Sequence, residues 1–221
     1  MPSDGRTGFS LCTLAGRVRF LLWAAIAALA ARAATAAPVE DIVSDLPGFG
    51  APPTRVFSGF LDASAGCGAQ EEVCRLHYIL CLAEQEAGSK PPVVLWLNGG
   101  PGASSVAGML SENGPLLMNA TGGLMRNPYS WTKVAHLLVL EAPVGVGYSY
   151  CSSQLDGGIC KNNDKRTASA SRAALVDFYT AKFPELKGND FFITGESYGK
   201  TRLSSHVAFA KDVLLFRQHL S

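Results

Sequence analysis

The stretch Phe191 to Gly199, FFITGESYG, constrains this chain more than any other. A short apolar run ends directly in Gly195-Glu196-Ser197-Tyr198-Gly199, a G-x-S-x-G pattern in the strand-to-helix position that a nucleophile elbow requires. The glycines let the turn tighten and let neighbouring backbone pass close, which leaves the serine exposed at the tip on strained backbone. The pattern also occurs by chance in surface turns, and its place after an apolar strand is what favours a functional serine. Thr194 to Thr201 has a second reading, because T-G-E-S-Y-G-K-T ends like a phosphate-binding loop. Threonine stands where that loop needs its first glycine, and Gly195 lies one residue too near Gly199, so the cradle of N–H groups has the wrong length.

Around this motif, short apolar runs alternate with turns. Arg75 to Leu82, Val93 to Leu97, His136 to Glu141 and Phe191 to Thr194 read as strands. The last three are almost wholly apolar, as in strands covered on both faces of a mainly parallel sheet. Thr167 to Phe183 carries Ala174, Leu175, Phe178 and Tyr179 at helical spacing, and Gly188 follows its end. Strand, loop, strand, helix, strand is the grammar of an α/β fold. His77 and His136, on or beside apolar strands, are expected to be structural.

The first 36 residues read as an address. Arg17 and Arg19 precede the apolar run Phe20 to Ala31, Arg32 interrupts it, and Ala34-Thr35-Ala36 fits a cleavage site. The run is too short for a stable membrane span, which needs roughly 20 residues; an uncleaved anchor or a buried helix is the competing reading. Removing residues 1–36 takes the formal charge from +1 to −2 and leaves 37–221 as one domain. With 48% hydrophobic and 17% charged residues, the chain forms a core, which excludes disorder, coiled coil and collagen-like repeats. No basic cluster offers a nucleic-acid surface. Five cysteines remain: Cys67 with Cys74 and Cys151 with Cys160 could each close a short loop, and Cys81 fits a buried thiol. No C-x-x-C spacing supports a metal site, and neither a metal nor a cofactor is expected. Asn119-Ala120-Thr121 is a glycosylation sequon in a Gly-rich turn, in keeping with export.

Pro91 to Pro115 (PPVVLWLNGGPGASS, then GMLSENGP) resembles the serine carboxypeptidase family of α/β-hydrolase peptidases. Leu46-Pro47-Gly48, Asn127-Pro128-Tyr129-Ser130-Trp131, Glu141 to Tyr150 (EAPVGVGYSY) and Phe183 to Gly199 continue the likeness, in order, over residues 40–199. The family's Gly-Pro-Gly is usually followed by cysteine, where this chain has Ala103. The resemblance implies an α/β-hydrolase fold, here its N-terminal strands through the elbow. It implies Ser197 as acylating nucleophile, with the Gly100 and Tyr198 amides holding the oxyanion. It also implies that Asn98, Glu112 and Glu196, with the Gly99 amide and Trp96 nearby, grip the free C-terminal carboxylate of a peptide. A protonated glutamate can donate a hydrogen bond to that carboxylate, so the resemblance implies exopeptidase selectivity and an acidic working pH. The corresponding compartment is the secretory pathway, ending in a lysosome- or vacuole-like organelle or outside the cell.

After Gly199 the likeness stops. Residues 200–221 carry a net +3, and the family's downstream aspartate and histidine have no counterpart. His206, Asp212 and His219 follow Ser197 too closely for a triad histidine that must fold back to within roughly 3 Å of the serine oxygen. The expectation is a truncated or mis-spliced product, or an incomplete gene model, of a serine carboxypeptidase, lacking the triad Asp and His. The alternatives are a secreted peptide-binding pseudoenzyme and a carboxypeptidase-like acyltransferase.

Overall fold

Alternation of side chains on successive strands builds a two-faced sheet. The structure, a computed structural model, describes residues 37–68, 73–84 and 90–197. Residues 1–36, read above as an address, Tyr198 and the divergent 200–221 segment lie outside the described residues. The strands and helices in chain order are β1 (Ile42–Val43), β2 (Val56–Asp62), β3 (Cys74–Cys81), β4 (Val93–Leu97), α1 (Ser105–Gly108), β5 (Leu116–Met118), β6 (Leu124–Arg126), β7 (His136–Leu140), β8 (Tyr150–Cys151), α2 (Ser152–Leu155), α3 (Asp164–Asp177) and β9 (Phe191–Gly195). The main sheet runs β1-β2-β3-β7-β4-β9, with β8 pairing to β3, and β5–β6 form a separate hairpin.

The sheet is mixed. The apolar runs expected to be parallel are so, since β4 pairs in parallel with both β7 and β9. The strands β1, β2, β3 and β8 pair antiparallel, and β3 also meets β7 antiparallel. All five residues of β7 are buried, as its apolar sequence requires. Its Leu138 and Leu140 enter one core with Leu76, Tyr78, Leu95 and Leu97, and α3 covers that core through Ala170, Ala174 and Leu175. Leu137 and Val139 face the other side with Trp96, Met109 and Val106. Full coverage does not extend to β9, where Phe192 is 54% exposed.

The helix begins at Asp164, capped by the Asn163 side chain on the Arg166 amide, and loses α geometry at Phe178. Phe178–Lys182 continues as a π turn, so the periodic stretch read to Phe183 is a helix plus a widened last turn. Disulfides join Cys67 to Cys74 and Cys151 to Cys160. Cys81 is a buried free thiol whose pKa burial pushes up to about 12, which keeps it protonated and inert. Among the described residues, no helix is long and apolar enough to cross a membrane. His77 and His136 are both buried, as a structural role requires.

Candidate active site

The parallel register of β4 and β9 aligns Leu97 with Gly195, so the loops leaving both strands start at one level. The Glu196 amide donates to the Leu97 carbonyl (3.3 Å), extending the pairing one residue into the turn. A side chain at Gly195 would place its Cβ 2.5 Å from the Leu97 carbonyl oxygen, so this close approach requires glycine. Ser197 follows at φ 48°, the only non-glycine with positive φ among the described residues. That conformation costs an L-residue about 1–2 kcal/mol. Ser197 is also exposed at the tip of the turn, as the G-x-S-x-G pattern leads one to expect.

From the end of β4 the chain enters Asn98-Gly99-Gly100-Pro101-Gly102-Ala103. Gly100 has φ +113°, and an added Cβ there would sit 2.7 and 2.8 Å from the amide nitrogens of Gly102 and Ala103. The loop is therefore a glycine-built arch, with Gly100 exposed and Gly99 buried. The Ala103 amide closes it onto the Gly99 carbonyl (3.2 Å).

Asn98 is 6% exposed and carries a chain of side-chain bonds. Its Oδ1 accepts from Trp96 Nε1 (2.6 Å), and its Nδ2 donates to Glu196 Oε1 (3.2 Å). Its backbone amide donates to Ser105 Oγ (3.1 Å). Trp96 is held edge-on to Trp131 at a centroid distance of 5.5 Å. Three of the expected carboxylate-gripping residues, Trp96, Asn98 and Glu196, are thus one connected unit, with Gly99 next in sequence.

Glu112 stands apart. It lies in the π turn Met109–Asn113 with its side chain exposed, and its carboxylate has no hydrogen-bond partner among the described residues. Its backbone carbonyl accepts from Asn127 Nδ2 (2.9 Å), which also donates to the Gly114 carbonyl and so pins the turn. Asn119 is exposed in the β5–β6 turn, with its Oδ1 accepting from the Thr121 amide and hydroxyl and from the Gly123 amide. Among the described residues no group of three or more His, Cys, Asp or Glu could hold a metal ion.

Sequence reasoning gave no role to Ser105, Gly108 or Asn127. Ser105 and Gly108 are three apart on α1, so helical spacing could have put them on the face that supports Asn98. Asn127 lay inside the N-P-Y-S-W segment, but nothing in its sequence shows that its amide reaches back to Glu112 and Gly114. The buried pair of His77 and Glu141 also escaped notice, since its members are 64 residues apart in sequence.

Neither described histidine serves Ser197. His77 Nδ1 bonds Glu141 Oε2 (3.0 Å) and its Nε2 bonds Ser58 Oγ (2.9 Å), while His136 Nδ1 accepts from the Ala83 amide (3.0 Å). Burial lowers the pKa of both below the ordinary imidazole value, in His77 against the opposing pull of Glu141.

Residues 47–201 match the family model described as serine carboxypeptidase. Lysosomal protective protein of Mus musculus is 42% identical over 165 residues, covering 74% of this chain and 32% of the relative. Serine carboxypeptidase-like 35 of Arabidopsis thaliana is 43% identical over 163 residues, covering 72% of this chain and 32% of the relative. The chain therefore spans about a third of the length of these relatives. The crystal structure of a prohormone-processing carboxypeptidase, Kex1Δp of Saccharomyces cerevisiae, superposes with a TM-score of 0.62 at 23% identity, over 80% of this chain and 41% of that one. That likeness establishes the fold, the N-terminal strands of an α/β-hydrolase through its elbow. By the matched segment and the identities to these relatives, the chain belongs to the serine carboxypeptidase family.

Proposed function

We propose that this chain supplies the nucleophile, the oxyanion loop and the carboxylate grip of a serine-type carboxypeptidase, which releases C-terminal amino acids from peptides through an acyl-enzyme. The observation that carries the reading is the juxtaposition at two neighbouring strand ends. An exposed serine in left-handed backbone sits beside a glycine arch and the hydrogen-bonded Trp96–Asn98–Glu196 unit, whose Trp96 and Asn98 are buried and whose Glu196 is half-buried. The substrate's free carboxylate docks at Asn98 Nδ2, the Gly99 amide and Glu196, with Glu112 closing the site from the π turn. Ser197 Oγ then attacks the carbonyl of the last peptide bond. The oxyanion takes N–H donors from Gly100 and Tyr198, each worth on the order of 10²–10³ in rate. The general base and the carboxylate that orients it come from outside the described residues, since His77 and His136 are committed elsewhere.

Two disulfides support an oxidising route through the secretory pathway, with a lysosome- or vacuole-like organelle or the extracellular space as destination. The commitment of both described histidines favours a second reading: a protein that binds peptide C-termini without turnover. The test is to express the full chain through the secretory pathway and offer a blocked dipeptide with a free C-terminus beside its amide. Release of the terminal amino acid from the acid alone, lost in Ser197→Ala, supports the peptidase. Binding of the acid without release supports the second reading. Equal indifference to acid and amide overturns both.

A further inference from the structure

Glu141 follows the last residue of β7 and is 3% exposed, yet among the described residues no lysine or arginine bonds its carboxylate. A buried carboxylate is tolerated only when hydrogen bonds replace its lost water. Here they come from three directions. Oε1 accepts from Ser104 Oγ, and Oε2 accepts from the Tyr148 amide (2.8 Å) and from His77 Nδ1 (3.0 Å). His77 is held in turn through Nε2 by Ser58 Oγ (2.9 Å). The backbone reinforces the join, because Ser149 Oγ donates to the Glu141 carbonyl (2.6 Å) and accepts from the His77 amide (2.8 Å). Room for the carboxylate exists only because residue 147 is glycine, as an added Cβ there would lie 2.0–2.1 Å from it.

The place of this carboxylate gives it a task. Trp96 pairs with Val139, so Glu141 sits two residues on, level with Asn98 and on the side of β4 away from β9. Ser104, its partner, directly follows the glycine arch and caps α1, with its Oγ also accepting from the Val106 amide (3.2 Å). The arch is therefore fixed at two feet. One is Asn98, tied to Trp96, Glu196 and Ser105. The other is Ser104, tied to Glu141.

We propose that the chain Ser58–His77–Glu141–Ser104 positions the oxyanion loop, with Glu141 as the positioning residue that sets where the Gly100 amide points. The proposal rests on the reading of Gly100 as an oxyanion donor. Displacing such a donor by about 1 Å can cost on the order of 100-fold in the stabilisation of the tetrahedral state, while a ligand that uses only the carboxylate grip is spared.

That split is the test. In the full chain, a blocked amino acid with a free carboxylate probes the grip. A peptidyl boronic acid probes the tetrahedral state: its boron accepts the Ser197 oxygen, the serine proton leaves to solvent, and trigonal boron becomes tetrahedral. Glu141→Gln replaces one acceptor oxygen with an amide that confronts an N–H or O–H donor. It should weaken boronate binding 10- to 100-fold and carboxylate binding less than twofold, and it should move the Gly100 amide resonance. Should that variant fail to fold, Ser104→Ala cuts only the last link and is expected to behave alike, with Ser104→Thr restoring affinity because it keeps the hydroxyl. An unmoved Gly100 amide and unchanged boronate affinity in a folded Ser104→Ala protein would overturn the proposal. A wild-type chain that never turns boron tetrahedral would refute the nucleophile reading instead, and the Gly100 resonance would still decide whether Glu141 holds the arch.

Discussion

Replacing Gly108 by alanine drives a methyl group into the bond between Trp96 and Asn98. The added Cβ would lie 2.3 Å from Asn98 Oδ1, 2.6 Å from Trp96 Nε1 and 3.1 Å from Asn98 Cγ. Ordinary carbon contacts begin near ~3.5 Å, so the amide or the indole must retreat by about 1 Å. A 2.6 Å hydrogen bond stretched that far is lost, and both partners stay buried. Leaving such groups unpaired costs about 1–3 kcal/mol, and overpacking a filled site costs about 1–3 kcal/mol more. The better helix propensity of alanine returns up to about 1 kcal/mol. The expected net loss is about 3 kcal/mol, read from denaturant unfolding. Asn98 also carries Nδ2 to Glu196, so affinity for a blocked amino acid carboxylate should fall at least about tenfold, one such bond being worth about 1.5–3 kcal/mol to a charged partner. The sequence has three tryptophans, so the Trp96 indole N–H resonance is easily assigned and should move. A Gly108→Ala protein that unfolds within about 0.5 kcal/mol of its parent, with that resonance unmoved, refutes the reasoning.

Ser197→Gly relieves the left-handed strain at φ 48° but loosens the unfolded chain, so it should exceed Ser197→Ala in stability by about 0.5–1 kcal/mol in urea melts; equal stability would mean the strain is absent. The pKa values of His77 and His136 are lowered by burial, so the folded protein holds fewer protons than the unfolded chain. Stability is full above the ordinary value of 6.5 and is lost as pH falls through it and below, and urea midpoints at pH 8, 6.5 and 5 should decline in that order. A flat series, or one that rises in acid, goes against the assignment. Asn119 presents an exposed amide with its Oδ1 already engaged by three donors, so chain secreted from eukaryotic cells should carry one glycan that Asn119→Gln removes; glycosidase treatment without a mobility change counts against it.

The parallel centre of the sheet was legible because burial on both faces leaves an unmistakable composition. VVLWL and HLLVL have few other uses, and both strands fall where they were read. The strand Val56–Asp62 was not legible, because Ser58 and Gly59 break its apolar run and its alternation serves one covered and one partly open face. Strands of two residues, β1 and β8, leave no periodicity to read. The end of α3 was overread since a π turn keeps the apolar spacing while the hydrogen bonds shift. At the site, the glycines of G-x-S-x-G announced a backbone problem, and φ at Ser197 is that problem. Glu112 carried no such local signature, since its carboxylate meets nothing among the described residues. The Ser58–His77–Glu141 chain was beyond reach for another reason: its three residues come from β2, β3 and the end of β7, and only the sheet order makes them neighbours.

The pairing of β4 with β9 also dictates when the site can exist. Asp62 pairs with Arg75 across a short connection, whereas Val93 pairs with Phe191 across nearly half the chain. Closing a loop of that length costs entropy before any contact rewards it, so parallel pairings of distant segments form late. The β2–β3 hairpin can form while the ribosome is still extending the chain. Ser197, just beyond the C-terminal end of β9, stands beside the glycine arch only after residues 93–197 have all been made and the strands before β9 are there to receive it. If Ser197 is the nucleophile proposed above, synthesis order acts as a safety catch: a half-made or misassembled chain carries the serine without the neighbours that would activate it.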